Sequence, residues 1–418
     1  MKSALVIFFV AVSAFAQSMD SMIDQQLPSL VDTYKAFHEA PELSLHEEQT
    51  SATLAAKMRA LGYTVTDHVG GFGVVAVMKN GSGPTLMIRT DMDALPVTEA
   101  TGLPYASRNT GVMHACGHDI HMTSFIGTAA MLAQLKEKWH GTLIMIGQPA
   151  EETVQGAAAM LKDGLYERFG TPTYAIAFHD NSSLPAGQVA YHAGPFMAAT
   201  DSVNIIVRGL GGHGARPELT KDPVVVASQI VLALQTIASR ETSPLDPVVV
   251  TVGSIHGGTK RNIIPDQVQL LLTVRTFRPE VRKRVLASIE RIAKAEALAA
   301  GIPEDHAPLV EFVAAESTGA TFNDPALTNR LADALKRGMG EQNVIPMEPM
   351  MVSEDFAKFA LDGKVPICMI NVGAVDPAKI ASGARLPSLH SSEFAPLPEP
   401  TIRGAVKAMT ISALELLR

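Results

Sequence analysis

Three short apolar runs constrain the fold of this chain more than any other feature: Thr85-Leu86-Met87-Ile88 ahead of Arg89, Thr142-Leu143-Ile144-Met145-Ile146 ahead of Gly147, and Tyr174-Ala175-Ile176-Ala177-Phe178 ahead of His179. Continuous runs of this length, bounded by polar or glycine residues, suit strands buried on both faces of a sheet. Stretches of helical period lie between them, for example Ser124 to Leu135. The expected fold is therefore α/β, with a central, mostly parallel sheet flanked by helices. In open sheets of this kind ligands collect beyond the carboxyl ends of the strands. Asp91, Glu151, Glu152 and His179 each fall just past such an end.

From about Phe196 the texture changes to strand (Ser202 to Val207), helix (Asp222 to Ser239), two strands (Val248 to Ser254, Gln267 to Phe277), helix (Pro279 to Ala300) and strand (Leu309 to Ala314). That is a βαββαβ, ferredoxin-like order. Val285, Ile289 and Ile292 fall on one face of the second helix, as packing on one side of an antiparallel sheet requires. The expected organisation is a catalytic domain at 17–195 and 316–418 with a smaller α+β domain, serving as lid or dimerisation surface, inserted at 196–315. Residues 1–16 read as an export signal: Lys2 supplies the charge, Ala4 to Phe15 the apolar run and Ala14-Phe15-Ala16 the cleavage site. The run is shorter than the roughly 20 residues of a spanning helix, so the expected location is periplasmic or secreted, with no membrane contact after cleavage.

With 418 residues and 47% hydrophobic content the chain buries a large core, which excludes a disordered or fibrous protein. A formal charge of -8 with interspersed Lys and Arg leaves no footprint for nucleic acid or an anionic membrane. Small-molecule chemistry is what remains, and Met113-His114-Ala115-Cys116-Gly117-His118-Asp119-Ile120-His121, followed by Glu151-Glu152, is where it concentrates. Thiolate, imidazole and carboxylate together suit a transition-metal centre with a proton acceptor beside it. The plainest reading of two cysteines in an exported protein is one disulfide, but a chain of this size does not need one. Cys116, inside a histidine cluster, favours ligation, whereas Cys368 in Val365-Pro366-Ile367-Cys368-Met369-Ile370 reads as a buried strand residue.

Eight segments in order make the chain resemble the aminoacylase and carboxypeptidase-type dinuclear metallopeptidases, in the amidohydrolase branch with hippurate hydrolases and plant auxin-conjugate hydrolases. They are His38 to Ser44, Arg89 to Pro96, Cys116 to Asp119, Gln148 to Glu152, Gly211 to Pro217, Asn262 to Pro265, Ser353 to Phe356 and His390 to Phe394. The resemblance implies two divalent metal ions held by Cys116, His118, Glu152, His179 and His390. Residue chemistry independently suits Zn, Mn, Co or Ni and disfavours Ca or Mg. It further implies Glu151 as general base, His213 as oxyanion donor, Asn262 and Arg275 as substrate contacts, and Asp91 as orienting a ligand imidazole or the bridging water. His114, Asp119 and His121 are supporting residues in the loop, and His38 is structural.

Asp180 stands where the branch usually has an apolar residue, and by analogy it borders the substrate cleft. The expected activity is hydrolysis of N-acyl amino acids. The alternatives are a dipeptidase or carboxypeptidase and a catalytically silent metal-binding protein. A homodimer through the inserted domain's edge strand is the expected assembly, with His213 acting in either its own or the partner subunit.

Overall fold

Strand and helix follow each other through the first half of the chain as the apolar runs require. The computed structural model describes residues 2–418, with side chains from Met19 onward, so the expected export signal falls outside the described side chains. In chain order the first strands are Thr64–Val69 (β1), Gly73–Asn80 (β2), Thr85–Asp91 (β3), Gly141–Gln148 (β4), Tyr174–Pro185 (β5) and Val189–Tyr191 (β6). The sheet is completed by Val344–Pro346 and Ile367–Val375, in the order β1, β2, β4, β3, β5, Ile367–Val375, β6, Val344–Pro346. Its centre, β4 through β3 and β5 to Ile367–Val375, is parallel, and β1 and β2 add antiparallel at one edge. Residues 86–91 and all of Ile367–Val375 are buried, which is why these strands carry no polar alternation.

Lys2–Glu39 (α1), Glu48–Ala60 (α2) and His118–Gln134 (α3) are the first helices. Met19, Ile23, Leu30, Tyr34 and Phe37 recur at helical spacing on α1 and enter the core. α3 is buried on every side from His118 to Leu132, which accounts for its lack of a polar face. Gly127 lets its neighbours approach closely, since a Cβ there would lie 2.6 Å from Val406 Cγ2 in the helix Pro398–Leu416 and 2.9 Å from Leu30 Cδ1.

Two expectations change here. Asp91 is the last residue of β3, paired with Gln148, and His179 lies well inside its strand, because β5 continues beyond Phe178 and stays paired with Ile367–Val375, His179 opposite Asn371. The polar run Asp180-Asn181-Ser182-Ser183 resembles a loop, yet its backbone is held in the sheet.

A second compact unit comprises 197–321 and 349–354. Four antiparallel strands lie in the order Val248–Gly257, Gln267–Thr276, Ala199–Arg208, Leu309–Thr318. Pro223–Thr236 and Pro279–Ala299 cover one face, packing Val226, Ile230, Val285 and Ile289 on Val203, Ile205, Leu270 and Val274. Strand, helix, strand, strand, helix and strand follow in that order. A two-residue ladder not foreseen from the pattern joins Gly212–His213 to Ile263–Ile264.

Candidate metal centre

Gly117 opens α3 in the left-handed region (φ 80), turning the chain so that Cys116 and His118 face one point at the carboxyl edge of the sheet. His118 Nδ1 donates to the Asp93 carbonyl (2.8 Å) and His179 Nδ1 to the Asp180 carbonyl (2.8 Å), so both rings present Nε2 as a lone pair. Cys116 Sγ lies 3.6 Å from His179 Nε2 and 3.3 Å from His390 Nε2. Glu152 reaches His390 Nε2 at 3.5 Å and His118 Nε2 at 3.8 Å, and Glu151 Oε2 stands 3.9 Å from His118 Nε2. All five expected ligands and the expected base are thus brought together, from α3, β5, the turn after β4 and the loop carrying His390.

The donor set fits a transition metal. Bonds of about 2.0–2.3 Å in tetrahedral geometry separate ligand atoms by roughly 3.3–3.8 Å, which matches the spacings above. His118 Nε2 and Glu152 Oε1 are buried with no hydrogen-bond partner, and a cation would satisfy both. Burial, with Glu152 and Glu151 adding to it, pushes the Cys116 thiol well up, so ligation would release its proton. Both cysteines are unpaired thiols, and the disulfide alternative falls away.

Behind the ligands stands a second layer that the sequence motifs only partly disclose. His121 donates from Nδ1 to Asp91 Oδ1 (2.7 Å), while its Nε2 accepts the Asp180 N–H (2.9 Å). Asp91 also receives Arg89 Nη1 (2.5 Å), and its carboxyl is held well below the usual range: burial opposes this, but the Arg89 charge and the His121 hydrogen bond act against it. Asp91 therefore orients His121 and lies 3.7 Å from His118 Nε2. Asp93, passed over in the sequence, accepts Ser44 Oγ (2.6 Å) and Glu152 N–H (2.9 Å). Its period-two spacing from Asp91 at the end of a buried strand was the available signal.

Asp180 does not border a cleft as expected. It is fully buried, with Oδ1 3.2 Å from both His121 Nε2 and His179 Nδ1. Gly117 makes the room, since a Cβ there would lie 2.5 Å from Asp180 Oδ2.

His38, expected to be structural, ties α1 to the metal loop through Asp119 Oδ2 (2.6 Å) and reaches Glu99 Oε1 (3.2 Å). Burial disfavours its charge, but Asp119 and Glu99 prevail and raise its pKa from 6.5 to about 9. The stabilisation is complete below pH 6.5 and is lost as pH rises through 9. Urea unfolding should show wild-type stability declining across that window and a shallower decline in His38→Gln; identical slopes would exclude the pair as the cause.

In the second unit His213 and Asn262 are neighbours. Gly214 N–H donates to the Asn262 carbonyl (2.9 Å), and His213 Nδ1 accepts the Ala215 N–H (3.0 Å), leaving a protonated Nε2 as an exposed donor. Arg275 donates from Nη1 to Thr200 and Thr273 hydroxyls, and no carboxylate is within ion-pair distance among the described residues. Asp201 is engaged by Arg282 instead (2.8 and 2.7 Å).

A Cys/His/Glu cluster at the carboxyl edge of a parallel α/β sheet, buried at Cys116, His118 and His179 and open to solvent at His390, with a second glutamate beside it, defines a metal-dependent hydrolase of amide or peptide bonds. The chain belongs to the peptidase family M20/M25/M40, whose profile matches residues 87–385. It is 38% identical over 342 residues to a hippurate hydrolase of Campylobacter jejuni, covering 80% of this chain and 87% of that one. It is 35% identical over 369 residues to thermostable carboxypeptidase 1 of Saccharolobus solfataricus, covering 87% and 90%. A solved Bacillus subtilis protein, described as a dinuclear metal binding peptidase of the M20 family, superposes with a TM-score of 0.77 at 30% identity over 94% of this chain and 99% of that one.

Proposed function

We propose that the chain hydrolyses the amide bond of N-acyl amino acids, hippurate-like compounds or amino-acid conjugates, with Cys116, His118, Glu152, His179 and His390 holding two divalent transition-metal ions. The observation that carries this reading is the pairing of Glu152, turned to the ligand cluster, with Glu151, whose carboxylate stands 3.9 Å from His118 Nε2. Such ions polarise a carbonyl and lower the pKa of water. Glu151 takes the proton of the attacking water and delivers it to the departing amine. His213 donates Nε2–H to the oxyanion, worth on the order of a hundredfold or more in rate. Arg275, half-buried beside hydroxyls, has a fork suited to the substrate carboxylate, with Asn262 as a further polar contact.

A panel of N-benzoylglycine, other N-acyl amino acids and dipeptides, assayed with Mn or Zn, tests the reading. N-acyl compounds should be turned over at least about tenfold faster, a difference of about 1.4 kcal/mol in barrier. Preference for dipeptides would favour the peptidase alternative, and hydrolysis of neither a silent metal-binding protein.

The active assembly is a homodimer through the inserted unit. Val248–Gly257 is an edge strand with Ile255 51% exposed, and Leu232 on the neighbouring helix is 73% exposed, a combination suited to pairing with a second copy. His213 lies beyond the end where Gln267 pairs with Arg208, while Arg275 pairs with Thr200 eight residues further, about 26 Å along the strand. One small substrate does not span that distance, so His213 and Arg275 of one chain serve different sites, and we propose that His213 is the one that serves the partner subunit. Co-expressing Glu151→Gln with His213→Ala should restore about a quarter of wild-type activity through mixed dimers with one intact site. Verified mixed dimers without activity would place His213 in its own subunit.

A further inference from the structure

The segment from His38 to Ser44 and the glutamate just after it supply no metal ligand, yet they touch the centre's supports at several points. Glu47, immediately before α2, is fully buried, and its Oε1 accepts the Ala150 N–H at 2.7 Å. Ala150 has a positive φ of 50, a left-handed conformation that is unfavourable for a residue with a Cβ. Its carbonyl is also engaged, accepting Gln155 and Gly156 N–H at 3.1 Å each. Two residues on, Glu152 N–H donates to Asp93 Oδ2 (2.9 Å), and the same oxygen takes the Ser44 hydroxyl (2.6 Å). Alternate N–H groups on either side of Glu151 are therefore held by two buried carboxylates. Glu47 Oε2 has no hydrogen-bond partner, while the carboxyl also meets the backbone N–H groups of Leu45 and of Glu47 itself, so of its backbone partners Ala150 is the one that lies in the turn carrying Glu151 and Glu152.

We propose that Glu47 is a positioning residue, which by holding the strained Ala150 peptide sets where Glu151 and Glu152 point. Ser44 steadies the other end of the same turn through Asp93. The inference rests on the roles given above to Glu151 and Glu152.

Glu47→Ala and Glu47→Gln separate this role from mere stability, because the glutamine oxygen can accept the same bond without a charge. Mn(II) affinity, measured by competition with a chelator, should fall about 10- to 100-fold in Glu47→Ala, with a comparable loss in kcat on N-benzoylglycine and little change in KM. Glu47→Gln should recover both to within about threefold of wild type. Unchanged metal affinity and kcat in folded Glu47→Ala would overturn the proposal, even with a lower melting temperature. Equal damage in the two variants would also overturn it, since charge and not the hydrogen bond would then be what matters. Should Glu47→Ala not fold, Glu47→Gln decides alone: near wild-type values support the role, and a tenfold loss refutes it. Metal affinity does not depend on Glu151 acting as a base, so an active Glu151→Gln enzyme would remove the base assignment and leave this readout standing.

Discussion

Glu151→Gln should lower kcat by about two to four orders of magnitude, the usual contribution of a positioned general base. The amide keeps the size and hydrogen-bonding reach of the side chain but cannot accept a proton near neutral pH. Glu152 is the residue turned to the ligand cluster, 3.5 Å from His390 Nε2, so metal content should stay at the wild-type level. KM should change little, because the lost interaction belongs to the transition state. The measurement is kcat and KM on N-benzoylglycine beside metal analysis of the same preparation. Wild-type turnover would remove Glu151 from the mechanism, and loss of metal would show that it is a ligand.

Arg89→Met should destabilise the fold by about 3–5 kcal/mol, the cost of stripping the partner from buried charge. Arg89 is 2% exposed and fans across three elements, with Nε to Gln148 (2.9 Å), Nη1 to Asp91 (2.5 Å) and Nη2 to Asp355 (3.3 Å). Methionine fills much of the volume but leaves the Asp91 and Asp355 carboxylates without it. Arg89→Lys should recover only part of the loss, since an ammonium cannot reproduce a planar fork with donors in three directions. Urea unfolding checks both variants. A change below about 1 kcal/mol in Arg89→Met would mean that the network contributes little, as some buried pairs do.

The parallel centre of the sheet was legible because Thr85–Ile88, Thr142–Ile146 and Tyr174–Phe178 are apolar on both faces, and burial on both faces is what they undergo. The second unit was legible for the opposite reason, as Val285, Ile289 and Ile292 mark a one-sided stripe that packs as such. The convergence of Cys116, His118, Glu152, His179 and His390 could be expected from motif order. What lay hidden is every pairing set by tertiary neighbours. His38 meets Asp119, and Glu47 meets Ala150, across sequence separations that no local pattern encodes. Asp180 was placed at a cleft by analogy with the branch, in which that position is usually apolar. The space that buries it comes from the missing side chain of Gly117, in a different element.

Equilibrium dialysis against Mn(II) or Zn(II), with metal counted per chain in the wild type and in Cys116→Ala, tests the metal centre most directly. The expected result is two ions per wild-type chain, at a stoichiometry unaffected by Glu151→Gln, and at most one in Cys116→Ala, where the sulfur shared by His179 and His390 is gone. Wild-type protein that binds no stoichiometric metal, or a Cys116→Ala variant that binds it unchanged, would contradict the assignment of this cluster as the catalytic centre.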